Sequence, residues 1–82
     1  MAMIKLFAAV REAAGISEDQ IDASTVQDLL LAAVGRYGPR FEQSLAFCKV
    51  AVNGILIDKT KYAEVPVGAS DEVALLPPVS GG

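Results

Sequence analysis

The chain has 82 residues, of which 52% are hydrophobic, and its formal net charge is −3. A chain of this length can bury one small core, so the composition argues against an enzyme that carries its own cofactor domain. The scattered basic residues argue against a nucleic-acid partner, and the sequence has no His for metal binding or acid–base catalysis.

Targeting and membrane signals are also missing from the sequence. Its apolar runs are far shorter than a bilayer span, and the N-terminus lacks the charged, apolar and small-residue order of a secretory signal. We therefore expect a cytoplasmic protein without a membrane partner. The lone Cys48 cannot form an internal disulfide, and we expect it to pack as a small hydrophobe in a strand.

The first third of the chain predicts a strand, a helical turn and a second strand. Residues 3–9 alternate between two faces, and Lys5 marks the outer one. The inward residues are Ile4, Leu6 and Ala8. Residues 10–15 indicate one helical turn that Gly15 closes, and residues 20–23 form a weak strand.

A helix over residues 25–37 is the strongest local prediction. Its apolar positions follow the helical period, and they are Val26, Leu29, Leu30, Ala33, Val34 and Tyr37. Two residues are candidates for the N-cap of this helix. Ser24 has capping-box spacing with Gln27, and Thr25 is the alternative. Gly38-Pro39 ends the helix.

The second half predicts three more strands. A helical turn near residues 41–45 precedes a strand over residues 47–52, with Val50 and Val52 inward. Asn53-Gly54 is a strong hairpin signal, so residues 55–57 should return antiparallel. Residues 65–71 are rich in turn formers, and residues 72–76 form the last strand with Val73 and Leu75 inward.

This order predicts an α+β fold, in which one main helix packs on one face of a mixed sheet of about five strands. We call the uncovered side of the sheet the open face. Alternation assigns to it the apolar residues Met3, Phe7, Ala51, Ala74 and Leu76. The charged residues Lys5, Lys49 and Glu72 lie among them. Such a patch beside a protruding tail predicts a docking surface, although scattered apolar surface residues are the ordinary alternative.

The chain ends in Pro77, Pro78, Val79, Ser80, Gly81 and Gly82. Two terminal glycines arise by chance in roughly 0.5% of sequences. The prolines lack backbone donors and cannot continue a sheet ladder. We therefore predict a single domain over residues 1–76 and a tail over residues 77–82, which can thread a partner's channel. The carboxylate of Gly82 is the expected reactive group.

Four segments together resemble the small subunit of molybdopterin synthase. They are Phe7-Ala8-Ala9-Val10-Arg11-Glu12-Ala13-Ala14-Gly15, Thr25-Val26, Val52-Asn53-Gly54, and Asp71 to Gly82 with its Pro-Pro-Val-Ser-Gly-Gly ending. The resemblance implies a ubiquitin-like β-grasp fold with the last strand beside the first. One departure concerns the turn before the last strand, where Ala69-Ser70-Asp71 replaces the Asp-Gly-Asp that is common in the family.

The resemblance also implies a chemistry in which the chain is a sulfur carrier and not a catalyst by itself. An adenylating enzyme uses ATP to activate Gly82, and a sulfur donor displaces AMP to leave a thiocarboxylate. The tail then enters the large subunit of the synthase and delivers sulfur to cyclic pyranopterin monophosphate in molybdenum cofactor biosynthesis. No cofactor is expected to stay bound. Candidate partner contacts are Phe7, Leu76 and Arg11, although Arg11 and Glu12 could equally form a surface pair.

Three other functions remain open on the sequence. A carrier for thiazole synthesis in thiamin formation shares the Val-Asn-Gly turn and the diglycine end but usually lacks the two prolines. A ubiquitin-like modifier would use the same adenylate to form an isopeptide bond with Lys. A plain interaction domain would tolerate loss of Gly82.

Overall fold

The computed structural model describes residues 1–78. The elements in chain order are β1 (Ala2–Leu6), α1 (Ala8–Ala14), β2 (Glu18–Ile21), α2 (Val26–Tyr37), α3 (Pro39–Leu45), β3 (Lys49–Val52), β4 (Ile55–Ile57), a 3-10 helix (Lys59–Glu64) and β5 (Glu72–Leu76). Within this part of the chain, no helix is both long and apolar enough to cross a membrane.

The five strands form one mixed sheet in the order β2-β1-β5-β3-β4. The first and last strands, β1 and β5, are adjacent and parallel, and the other neighbouring pairs are antiparallel. The predicted number of strands and the mixed sheet are therefore confirmed. The turn between β3 and β4 has positive φ at both Asn53 (52°) and Gly54 (84°), as a type I′ hairpin requires.

The core lies between the sheet and the helices on one side of it. Helix α2 contributes Val26, Leu29, Leu30 and Ala33 to this core. The inward strand residues include Ile4, Leu6, Val50, Val73 and Leu75. All of these side chains are at most 7% exposed, so the alternation predicted the inner face of the sheet correctly. Thr25, the second of the two candidate caps, begins α2, because its Oγ1 accepts a hydrogen bond of 3.1 Å from the Asp28 N–H.

Two predicted helical turns are longer than expected. Helix α1 covers residues 8–14 and buries Val10, and α3 covers residues 39–45 and buries Phe41 completely. The ring of Phe41 meets that of Tyr37 at a centroid distance of 5.1 Å and an angle of 65°, an edge-to-face contact. The alternation did not predict the 3-10 helix at all.

The prediction that the first strand reaches residue 9 is wrong. Strand β1 ends at Leu6, and Phe7 precedes α1, whose first residue Ala8 has a φ of 55°. A left-handed residue turns the chain sharply, so Ala8 and Ala9 belong to α1 and not to the sheet. The alanine-rich run from Ala8 to Ala14 favours the helix once this turn has been made.

Candidate functional site: the open face and the end of β5

Strand β5 carries the chain to its C-terminal end through the middle of the sheet. It pairs with β1 on one side and with β3 on the other, so its position is fixed by two ladders. The strand ends at Leu76, and Pro77 and Pro78 follow it as exposed residues. The predicted tail residues Val79, Ser80, Gly81 and Gly82 lie outside the described residues.

The structure brings Phe7 and Leu76 to the same end of the sheet. Strands β1 and β5 are parallel, and Leu6 is paired with Leu75. Phe7 and Leu76 follow this pair directly along the chain, so both lie close to Pro77, where the predicted tail begins. Phe7 is 40% exposed and Leu76 is half-buried. The prediction that Phe7 lies within the first strand is wrong, because β1 ends at Leu6.

Arg11 is exposed in α1, one helical turn beyond Ala8. Helix α1 packs against α3. No contact described in residues 1–78 joins Arg11 to Phe7 or Leu76. The structure therefore supports an exposed position for Arg11, and its role as a partner contact stays a prediction.

An apolar row runs across the open face at the middle of the strands. Ala74 on β5 is paired with Ala51 on β3, and Ala51 is paired with Leu56 on β4. Leu56 is 64% exposed, whereas Ala51 is only 4% exposed. The sequence placed Ala51 on the correct face but did not predict its burial, because a short methyl side chain on a strand with partners on both sides is hidden from solvent. Ala51 therefore lies below the exposed side chain of Leu56 in this row.

Charged groups border the row. Lys5 Nζ and Glu72 Oε2 are 3.4 Å apart, and both side chains are partly exposed. Such a surface pair contributes roughly 0–1 kcal/mol to stability, so its main effect is on the charge pattern that a partner meets. Lys49 is exposed at the start of β3, opposite Leu76.

A hydrogen-bond cluster fixes the start of β5 to the β3–β4 turn. The Asn53 side-chain amide donates to Asp71 Oδ1 over 2.9 Å, and the Glu72 N–H donates to Asn53 Oδ1 over 2.9 Å. The Gly68 N–H donates to Asp71 Oδ2 over 2.8 Å. The hydrogen bond from Asn53, and then that from Gly68, hold the pKa of Asp71 below its usual value. Asp71 is the last residue of the Ala69-Ser70-Asp71 turn, which replaces the Asp-Gly-Asp that is common in the molybdopterin synthase small subunit.

Cys48 is not placed to act as a nucleophile. It lies one residue before β3, not within the strand, and it is half-buried. Its Sγ donates to the Ser44 carbonyl over 3.5 Å, and burial raises the pKa of the thiol. A raised pKa favours the protonated and less reactive form.

Sequence reasoning missed two parts of this site. One is Leu56, which lies on the open face because it is paired with Ala51 across the hairpin. The other is the Asn53–Asp71 contact, for which the sequence holds no local signal because 18 residues separate the partners.

Residues 4–82 match the ThiS family. The chain belongs to the ThiS family. This membership and the β-grasp sheet confirm the resemblance to ubiquitin-like sulfur carriers. No curated protein sequence matches the chain.

Several solved structures are similar to this ThiS-family chain over nearly its whole length. Small archaeal modifier protein 1 from Haloferax volcanii is 34% identical, covers 99% of this chain and 98% of its own, and superimposes with a TM-score of 0.79. The same protein from Methanosarcina acetivorans is 32% identical, with coverages of 99% and 95% and a TM-score of 0.83. A chain in the complex of subunits 1 and 2 of molybdopterin-converting factor from Helicobacter pylori is 27% identical, with coverages of 99% and 97% and a TM-score of 0.69.

Proposed function

We propose that this chain is the sulfur-carrier subunit of a molybdopterin synthase. The observation that carries the proposal is the parallel alignment of β1 with β5, which sets Phe7 and Leu76 beside the start of the tail. A partner that binds the open face at this end of the sheet therefore also contacts Pro77, the first residue of the predicted tail. The Helicobacter structure, which holds subunits 1 and 2 of molybdopterin-converting factor together, supports a protein partner of this kind.

The proposed chemistry begins at the carboxylate of Gly82, which is a poor electrophile. An adenylating enzyme joins this carboxylate to the α-phosphate of ATP and releases pyrophosphate. A sulfur donor at the oxidation level of sulfide then attacks the acyl carbon, and AMP leaves with the bonding pair. The product is a thiocarboxylate, whose sulfur is a nucleophile, and no oxidant or reductant is required.

The large subunit would supply the acid–base groups for the next step. Among residues 1–78, no group of three or more Cys, Asp or Glu side chains could hold a metal ion, and the sequence has no His. The thiocarboxylate sulfur attacks a carbon of cyclic pyranopterin monophosphate and displaces an oxygen substituent there. Water then hydrolyses the resulting thioester, which leaves the sulfur on the pterin and regenerates the carboxylate of Gly82. A dithiolene contains two sulfur atoms, so two loaded carriers are consumed for each product.

Mass spectrometry of the full chain tests the loading step. The chain is incubated with an adenylating enzyme, ATP and sulfide, and we expect one terminal oxygen to be replaced by sulfur. A variant that lacks Gly82 is the control and should stay unchanged. Adding the large subunit and cyclic pyranopterin monophosphate should then yield the dithiolene. A chain that loads but gives no dithiolene would contradict the molybdopterin assignment and favour thiazole synthesis.

A protein-modifier function is the second candidate. The identities of 34% and 32% to small archaeal modifier protein 1 favour it. Adenylation of Gly82 is common to both functions, but in a modifier a Lys amine attacks the activated carbonyl instead of sulfide. Proteomics on the native cells separates the two functions. Peptides with Gly81-Gly82 joined to Lys would support the modifier, and their absence in cells that make the dithiolene would support the carrier.

A further inference from the structure

The two edges of the sheet differ in their chemistry. Strand β2 forms one edge with Glu18, Asp19 and Gln20, whereas the opposite edge, β4, consists of Ile55, Leu56 and Ile57. Charged residues protect an edge strand from pairing with another chain, and β4 has none. Ile55 is 68% exposed and Leu56 is 64% exposed, so the unprotected edge is also apolar.

The hairpin turn decides which backbone groups β4 presents outward. The Asn53 N–H donates to the Glu72 carbonyl over 2.9 Å, so alternate residues of β3, including Ala51, bond to β5. The residues between them, Val52 and Val50, bond instead to Ile55 and Ile57 of β4. Leu56 lies in the non-bonded register opposite Ala51. Its N–H and C=O therefore point away from the sheet.

We propose that two copies of this chain pair through β4, antiparallel, about a twofold axis at Leu56. In this register the two Leu56 residues exchange both of their outward hydrogen bonds. Each Ile55 lies opposite Ile57 of the other copy, on the covered side of the sheet. The contact is self-complementary, as a twofold interface must be. The two Leu56 side chains meet on the open face and join the two apolar rows.

Electrostatics selects this edge for a pair of acidic chains. Each copy carries a net charge of −3, and pairing through β2 would bring Glu18 and Asp19 against the same residues of the other copy. Strand β4 brings no like charges together.

The proposed dimer is small and therefore weak, because three residues from each copy form its centre. Its twofold axis is perpendicular to the sheet, so both open faces lie on the same side. The two β5 strands are five strand spacings apart, about 24 Å at about 4.8 Å each, and run in opposite directions. Their tails start at opposite ends of the joined sheet, so each copy can serve a separate partner.

Sedimentation equilibrium of the full chain, up to about 1 mM, tests the proposal. Leu56→Pro removes the outward N–H and no bond within the sheet, so we expect the dissociation constant to rise at least about tenfold. Glu18→Pro is the matched control. Glu18 lies opposite Lys5 in the non-bonded register of β2, since the Leu6 N–H donates to the Ser17 carbonyl, and we expect the dissociation constant to stay within about twofold of wild type. Circular dichroism verifies the fold of each variant.

A second pair of variants tests the proposal even if the proline substitutions disturb the fold. Leu56→Lys places two like charges at the twofold axis and should also prevent pairing, whereas Gln20→Lys should not. Amide exchange at Leu56 should slow as the wild-type concentration rises. A wild-type chain that stays monomeric at about 1 mM would overturn the proposal. Equal effects of the β2 and β4 variants, or a dimer that survives Leu56→Lys, would overturn it as well.

Discussion

Asn53 combines two roles at one position. Its backbone has a φ of 52°, and its side chain bonds both to Asp71 and to the Glu72 N–H. Asn tolerates the left-handed region better than most residues. A single side chain thereby joins the β3–β4 turn to the strand that carries the tail.

Replacing Asn53 separates these two roles. Asn53→Gly keeps the left-handed backbone but loses the side-chain bonds, and should lower the free energy of unfolding by about 1–2 kcal/mol. Asn53→Ala loses the bonds and also strains the backbone, so its cost should be about 1 kcal/mol greater. Urea denaturation measures both values. Equal losses in the two variants would show that the backbone conformation carries no cost.

Tyr37 makes the stability depend on pH in the alkaline range. Its hydroxyl donates to Asp19 Oδ2 over 2.6 Å, and Arg36 Nη1 donates to the same oxygen over 2.7 Å. Burial, and then the bond to Asp19, raises the pKa of Tyr37 from 10.0 to about 12. The folded-state pKa lies above the unfolded one, so the protonated form favours folding. Its contribution is complete below pH 10 and is lost as the pH rises toward 12.

A Tyr37→Phe variant isolates this contribution. Between pH 10 and about 12, the free energy of unfolding should fall less steeply in Tyr37→Phe than in the wild type. Urea denaturation at several pH values gives the two slopes. All other ionisable groups are common to both proteins, so their effects on the slope cancel in the difference. Identical slopes would refute the assignment to Tyr37.

At the level of elements, α2 holds the core together. Leu29 is fully buried and Leu30 is 7% exposed, whereas Leu31, the next residue, is 62% exposed. Truncating Leu29 or Leu30 to Ala should cost about 2–5 kcal/mol, a large part of a small domain's stability. Leu31→Ala is the control and should cost less than about 0.5 kcal/mol. Thermal and urea unfolding measure these losses, and small values for both buried leucines would mean that α2 packs through another face.

Substitutions at the ends of β1 and β5 distinguish residues needed for docking from residues needed for folding. We expect Phe7→Asp or Leu76→Asp to leave the thermal midpoint near wild type and to weaken binding to the large subunit or the adenylating enzyme at least about tenfold. Leu31→Asp places the same charge on the exposed side of α2 and should change neither property. Calorimetry gives the affinities. Unchanged affinity in both Phe7→Asp and Leu76→Asp would exclude this end of the sheet as the docking site.

At the level of the whole molecule, the proposed reactive group on Gly82 follows the last strand by six residues in the sequence. Strand β5 ends at Leu76, so deleting Gly82 should leave the unfolding midpoint unchanged and abolish sulfur transfer. Gly81→Ala adds one methyl group next to the reactive end. It should lower turnover while binding through the open face survives, because a narrow channel tolerates little added bulk. Dithiolene formation from loaded variants measures the transfer. Wild-type yield without Gly82 would reject the carrier function.

The sequence by itself determined the parts of this protein that depend on local preferences. The helical period located α2, the Asn-Gly pair located the β3–β4 hairpin, and the alternation assigned the inner face of the sheet. These signals work because neighbouring residues alone set the backbone geometry. The diglycine ending led to the proposed chemistry in the same local way, since the proposed reactive group is the terminal carboxylate itself.

Only the tertiary structure decided how these parts meet. It ended β1 at Leu6, because the left-handed Ala8 turns the chain into a helix that must pack against α3. It buried Ala51 between two neighbouring strands and left Leu56 at an unprotected edge. It also paired Leu6 with Leu75, which brings Phe7 to the root of the tail. Each of these facts depends on residues far apart in the sequence, and only the pairing of strands brings them together.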